Sequence, residues 1–189
     1  MDTAAGGPIG LIVVDHGSRR AESNAMLEQM VGQVAATVPY DIVEPAHMEL
    51  AEPSIAAAFD ACVARGARTV VVSPYFLLPG RHWTQDIPAL VEEAAARHPG
   101  VAYLVAAPFG LHPLMAEVVG ARVEHCLAHV RGEAEECEVC ASCPARRASK
   151  GPRGPRGAGR RDRVRHRRAR RQGRGQRDGA PSARVLRGA

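Results

Sequence analysis

The sequence predicts an α/β fold, a four-stranded parallel sheet flanked by helices. Three observations carry this. Short apolar runs of strand length recur four times, stretches of helical period separate them, and Gly or Pro marks most junctions. The runs are continuous rather than alternating, which suits strands covered on both faces by crossover helices.

Ile9 to Asp15 reads as the first strand, and Ala21 to Val38 as a helix with Met26, Leu27, Met30, Val31 and Val34 on one face. Ile42 to Met48 is the second strand. Ser54, following Pro53, can cap a helix through Arg65 by accepting one of its free N–H groups, and Gly66 ends that helix. Thr69 to Val72 is the third strand. Pro88 fits the first turn of a helix reaching about Arg97, where a missing N–H costs nothing, and H-P-G stops it. Val101 to Ala107 is the fourth strand, and Pro113 to about Val130 the last helix. Right-handed crossovers then bring four segments to one edge of the sheet, 16–20, 48–54, 74–83 and 108–113. Open parallel sheets bind their ligands at that edge. No internal repeat is visible.

Charge divides the 189 residues. Up to Ala145, eight Arg and no Lys stand against 18 Asp plus Glu, a balance of −10. From Arg146 onward, 16 Arg and one Lys stand against Asp162 and Asp178, a balance of +15. The expected organisation is a folded domain over 8–131, a Cys-containing segment over 132–143, and an Arg/Gly-rich tail over 144–189. The tail has too few apolar residues to offset the entropy of ordering, so disorder is expected there. Such a tail can bind RNA or other polyanions non-specifically by charge, although a GC-biased coding region or a misread last exon gives the same composition. No segment reaches the roughly 18 apolar residues of a membrane span, and the N-terminus does not read as a secretory signal, so no membrane partner is expected. Met1 to Pro8 is too short for a transit peptide; an import sequence would have been removed or never included.

His16 stands in D-H-G-S-R-R, where Gly17 lets the backbone turn and Ser18 can begin a helix whose free N–H groups meet an anion. A histidine between a strand and such a turn reads as functional rather than as core. His82 closes F-L-L-P-G-R-H-W. Apolar side chains there can floor a flat organic ligand and Arg81 can grip its carboxylates, or the strand simply ends in Arg-His with Trp83 packed on it. In H-M-E-L-A-E-P-S, Glu49 and Glu52 lie near the turn after the second strand. Glu52, directly at it, can guide a metal or take a proton, or can merely favour a helix N-terminus. His98 and His112 read as loop residues. His125 and His129 share a helix face, more simply a solvated one than a metal site. Cys62 reads as a small buried side chain. Cys137, Cys140 and Cys143, with Cys126 on the preceding helix, have the CxxC clustering of a metal or iron–sulfur centre, or of a redox dithiol.

With V-D-H-G-S-R-R, V-E-P-A-H-M-E-L-A-E-P-S, V-V-S-P-Y-F-L-L-P-G-R-H-W and D-I-P-A-L in this order, the chain resembles the sirohydrochlorin ferrochelatases of plants and algae. These are small class II chelatases related to the short cobaltochelatases, and the resemblance runs from about Pro8 to Ala141. It implies a chelatase-type domain that inserts Fe2+, the substrate metal, into sirohydrochlorin to give sirohaem. By resemblance His16 is proton acceptor and metal ligand, and His82 is the second metal ligand. Glu52 is a further catalytic and substrate-contacting residue, and Leu77, Leu78, Pro79, Gly80, Arg81 and His82 are substrate-binding positions. A homodimer is implied, since related chelatases often carry two such halves in one chain. So is a chloroplast location, with the cytoplasm as the alternative. The plant-type enzymes also carry an iron–sulfur cluster, a 2Fe–2S centre on Cys126, Cys137, Cys140 and Cys143 here. After Ala141 the spacing departs from theirs. The same residue types leave a cobalt or nickel chelatase open. A phospho-histidine loop fits poorly, because those sites place Arg before His-Gly and this chain has Asp15.

Overall fold

The computed structural model describes residues 7–139, which divide into two compact units, one ending at His112 and one beginning at Pro113. The first unit contains β1 (Ile9–Asp15), α1 (Ala21–Ala35), β2 (Ile42–His47), α2 (Ile55–Ala64), β3 (Thr69–Pro74), a π-helical turn (His82–Asp86), α3 (Ile87–Ala96) and β4 (Ala102–Val105). All neighbouring strands are parallel, in the order β2-β1-β3-β4. Ile12 of β1 lies opposite Glu44 of β2 and Val72 of β3.

The continuous apolar run of β1 is explained by its two faces. Leu11 and Val13 pack with Leu27 and Val31 of α1. Ile12 and Val14 point the other way, into a larger core with Ala58, Phe59 and Cys62 of α2 and Val91 and Ala94 of α3. Alternate residues therefore serve opposite cores, and both sets must be apolar. Phe59 is fully buried, a position where truncation to Ala costs about 3–5 kcal/mol. At Gly10 a Cβ would stand 2.9 Å from Cys62 Sγ, so the absence of a side chain lets α2 lie close on β1.

Handedness fixes which helix covers which face. From β1 the chain moves outward to β2 through α1. It then returns across β1 to β3 through α2, and continues through α3 to β4. Right-handed crossovers in opposite directions lie on opposite faces, as observed. The direction of winding reverses between β1 and β3. At such a switch point the loops after the two strands turn apart and leave a crevice.

Several boundaries differ from the sequence expectation. α1 stops at Ala35 rather than Val38, since Pro39 pushes Val38 out of the helical region and Thr37 and Val38 are β-branched. Met26 of its expected apolar face is 44% exposed, while Leu27 and Val31 are buried. Ser18 does not begin the helix; its hydroxyl accepts from Arg20 N–H, and its backbone exchanges two hydrogen bonds with the Asn24 side chain. β3 runs on to Pro74 because β1 continues beside it. β4, at the sheet edge with β3 as its one partner, is shorter than expected. Ser54 caps α2 as expected, accepting from Ala57 N–H.

The second unit is α4 (Pro113–Arg131) and the segment after it. Gly132, at φ 75°, turns the chain, and the Arg122–Glu138 ion pair ties the following residues to the helix. No described helix is long and apolar enough to cross a membrane. The tail over 144–189, with Cys140 and Cys143, lies outside the described residues.

Candidate functional site

The two histidines singled out in the sequence meet at the switch point. His16 follows β1 and His82 opens the π turn beyond β3, and their ring centroids are 5.3 Å apart with planes at 76°. Two imidazoles that ligate one ion through nitrogens about 2.1 Å away, at tetrahedral angles, have centroids roughly 5 Å apart. The observed separation is close to that value, and it is also that of an ordinary edge-to-face ring contact. Both side chains are half-exposed, at 43% and 44%, so the pair can be reached from solvent.

Gly17 turns the chain at φ 82°, and its N–H donates to Asp15 Oδ1 at 2.8 Å. A Cβ there would collide with the Glu49 carbonyl oxygen, so only glycine lets the loop after β2 approach this closely. That approach is stitched by backbone bonds: Met48 N–H donates to Asp15 O and Glu49 N–H to His16 O. Beneath the loop His47 is 1% exposed and its Nδ1 lies 2.6 Å from Asp15 Oδ1. Asp15 thus holds both the glycine turn and the buried histidine.

The result places Glu49 Oε1 2.9 Å from His16 Nε2. His16 Nδ1 faces the Gly17 carbonyl at 3.2 Å. The His16 ring is thus contacted at both nitrogens, by a carbonyl on one side and a carboxylate on the other. Glu52 is in the same turn, but its carboxylate accepts from its neighbour Ser54 N–H at 2.6 Å. Sequence reasoning named both glutamates and favoured Glu52. What separates them is Leu50, whose φ of 67° redirects the chain between them, a conformation that no residue type in E-L-A-E announces. The Glu52–Pro53 peptide is cis.

His82 Nδ1 lies 2.9 Å from Asp86 Oδ2. Trp83 anchors the turn by donating from Nε1 to Ala106 O, and Phe76 lies beside His82 with centroids 6.0 Å apart. Leu77 and Leu78 are 62% and 65% exposed, Pro79 and Gly80 are exposed, and Arg81 reaches toward Asp86 from an exposed position. Gly110 N–H donates to Leu77 O and Phe109 N–H to Phe76 O, so the loop after β4 supports this ledge. Arg19 and Arg20, in the turn between β1 and α1, are exposed. The edge therefore offers two imidazoles and a carboxylate beside an apolar ledge with guanidinium groups around it. A cavity of about 320 Å³ near α2 and α3, lined by Met48, Ser54, Leu90 and Arg97 among others, contains none of His16, Glu49, His82 or Asp86. Among the described residues no three His, Cys, Asp or Glu side chains converge as a closed metal centre.

Away from this edge, Cys62 is fully buried and burial pushes its thiol up to about 12. His98 pairs with Asp60 and stacks on Phe59. In the second unit Cys126 and Cys137 are half-buried and both bear electrostatically on Arg122. The Arg122 guanidinium, hydrogen-bonded to Glu138, holds that carboxyl below its usual range.

The chain is 59% identical over 128 residues to the chloroplastic sirohydrochlorin ferrochelatase of Arabidopsis thaliana, covering 68% of this chain and 57% of that protein. It is 31% identical over 118 residues to a sirohydrochlorin cobaltochelatase of Sulfurisphaera tokodaii, covering 62% and 93%. The sirohydrochlorin chelatase SirB of Bacillus subtilis subspecies spizizenii, solved in complex with cobalt, superposes with a TM-score of 0.59 at 30% identity, over 62% of this chain and 50% of that one. The chain thus spans about half the length of the longer relatives it matches. The CbiX family profile matches residues 10–126, a span that takes in β1 through most of α4 and every residue of the switch-point site: the chain belongs to the CbiX family.

Proposed function

We propose that this chain inserts Fe2+ into sirohydrochlorin, yielding sirohaem and two protons. The observation that carries the reading is the meeting of His16, Glu49 and His82 at the sheet's switch point. Insertion must take two protons from pyrrole nitrogens and exchange the water around the metal for four ring nitrogens. The His16–Glu49 pair suits the first task, because imidazole accepts protons near neutral pH and the carboxylate stabilises the cation so formed. His82 suits the second, since it can hold the ion while leaving most of its coordination positions open to the ring. Leu77 to Gly80 give an apolar bed for the macrocycle, and Arg19, Arg20 and Arg81 face its carboxylates. Glu52 is a substrate contact at the rim rather than the partner of His16.

Iron is favoured by the 59% identity to a protein named ferrochelatase. Cobalt is the second reading, favoured by the Sulfurisphaera relative and the cobalt-bound Bacillus structure. Anaerobic insertion assays on the full chain with Fe2+, Co2+ and Ni2+ decide between them. The iron reading expects the highest kcat/KM with Fe2+, and faster cobalt insertion overturns it.

The finer expectations stand beside this. A homodimer would restore the second half that longer relatives carry, as the 50% coverage of the Bacillus chain suggests. A chloroplast location is supported by the Arabidopsis relative. A 2Fe–2S cluster, which would supply one-electron chemistry, would be held by Cys126 and Cys137, neighbours of the same guanidinium, with Cys140 and Cys143; no step of insertion needs it. Polyanion binding by the tail is separable by truncation after Cys143, which the chelatase reading expects to leave insertion intact.

A further inference from the structure

The two site histidines are held by different devices, and the second device is Asp86. After β3 the chain winds into the single π turn His82–Asp86, in which Ile87 N–H reaches His82 O. Such turns, with one residue more than an α turn, gather at functional sites. Here the turn is fixed at both ends: Ile87 is fully buried, and Trp83 Nε1–H donates to Ala106 O. Asp86 stands at the start of α3, where an aspartate ordinarily caps free N–H groups. It makes no capping bond. Its Oδ2 instead faces His82 Nδ1 at 2.9 Å, while Oδ1 lies 3.6 Å from Arg81 Nε. The Asp86 carboxylate thus meets an imidazole rather than a helix N–H.

An ionised carboxylate only accepts, so the hydrogen of that bond is on Nδ1. A neutral His82 consequently carries its lone pair on Nε2. His16 differs: Nδ1 is on Gly17 O and Nε2 on Glu49. We propose that Asp86 is a positioning residue, which fixes the Nδ1–H tautomer and the ring orientation of His82 and so presents Nε2 to the incoming divalent cation. Carboxylates behind metal-bound imidazoles raise the basicity of the ligand nitrogen as well as orienting it. This rests on the reading of His82 as metal ligand. It adds that cation capture is set by a residue that does not touch the cation. Arg81, itself exposed, stands 3.6 Å from the other oxygen of the same carboxylate.

The test is Co2+ titration of the full chain, followed by visible absorption, for the parent and for Asp86→Ala, Asp86→Asn and His82→Ala. Steady-state insertion is measured alongside. Loss of such outer partners costs about 10–100-fold in metal affinity. The expected result is that Asp86→Ala weakens Co2+ binding within that range and raises KM for the metal by a similar factor, more than it changes KM for sirohydrochlorin. Asp86→Asn keeps the volume of the turn and one accepting oxygen, so it should fall between Ala and the parent. Co2+ binding by both Asp86 variants within twofold of the parent, with binding lost in His82→Ala, overturns the role of Asp86 alone. Parent-like binding by His82→Ala as well overturns the reading of His82 on which it rests.

Discussion

At the scale of single residues, the proposed function makes the choice between two carboxylates three positions apart decide how protons would leave the substrate. Glu49 shares a hydrogen with His16, whereas Glu52 accepts from a neighbouring backbone N–H. Glu49→Gln removes the charge that stabilises protonated His16, and general-base assistance contributes about 100-fold or more. Insertion by Glu49→Gln is therefore expected to fall by roughly that factor in kcat, with Glu52→Gln changing chiefly KM for sirohydrochlorin. Equal kcat losses in the two variants would show that the hydrogen bond at His16 is not what matters. His16 and His82 were legible in the sequence because each sits beside a turn-forming Gly at the end of an apolar run. The role of Glu49 was not, because it follows from the left-handed backbone at Leu50 and from a loop approach that only the folded sheet creates. Asp86 was hidden for a related reason: a spacing of four residues says nothing about whether an aspartate caps its helix or turns to a histidine.

At the scale of elements, the four strands and four helices follow from apolar period and from Gly, Pro and Ser at their ends. Strand ends that depend on pairing, such as Ser73 and Pro74 opposite Val13 and Val14, follow from the neighbour instead. The π turn had no sequence signal, since one extra residue per turn alters no composition. Packing of α2 on β1 has a consequence that can be measured. Cys62 lies against Gly10 and is fully buried, and burial first, then Glu44, raises its thiol from 9.0 to about 12. The folded state thus holds that proton where the unfolded chain has lost it. Its contribution to stability is fully present below pH 9 and fades as pH rises toward about 12. At pH 8 iodoacetamide should leave Cys62 unlabelled in the native protein and label it in guanidinium, as read by peptide mass spectrometry. Rapid native labelling would mean that α2 does not lie closed on the sheet.

At the scale of the whole molecule, the order β2-β1-β3-β4 puts the reversal of winding between the two strands that lead to His16 and His82. The sequence supplied the alternation of elements but not this order, which depends on which strands pair. On the proposed function, an α/β unit with one such edge would meet a flat macrocycle from one side, and a second copy would close the other. Light scattering on the full chain should accordingly give twice the 20.1 kDa chain mass. A monomer that is fully active would show that one half suffices. Charge is unevenly divided along the chain, with the residues up to Ala145 acidic and the basic excess from Arg146 onward, so the net charge of +5 describes neither.

On the proposed function, the imidazole pair at the switch point performs metal insertion. The decisive measurement is the anaerobic rate of sirohaem formation with Fe2+ in the parent, His16→Ala and His82→Ala, each shown to be folded by circular dichroism. Loss of about 100-fold or more is expected in both variants with the fold intact. A parent-like rate in either variant would overturn that role.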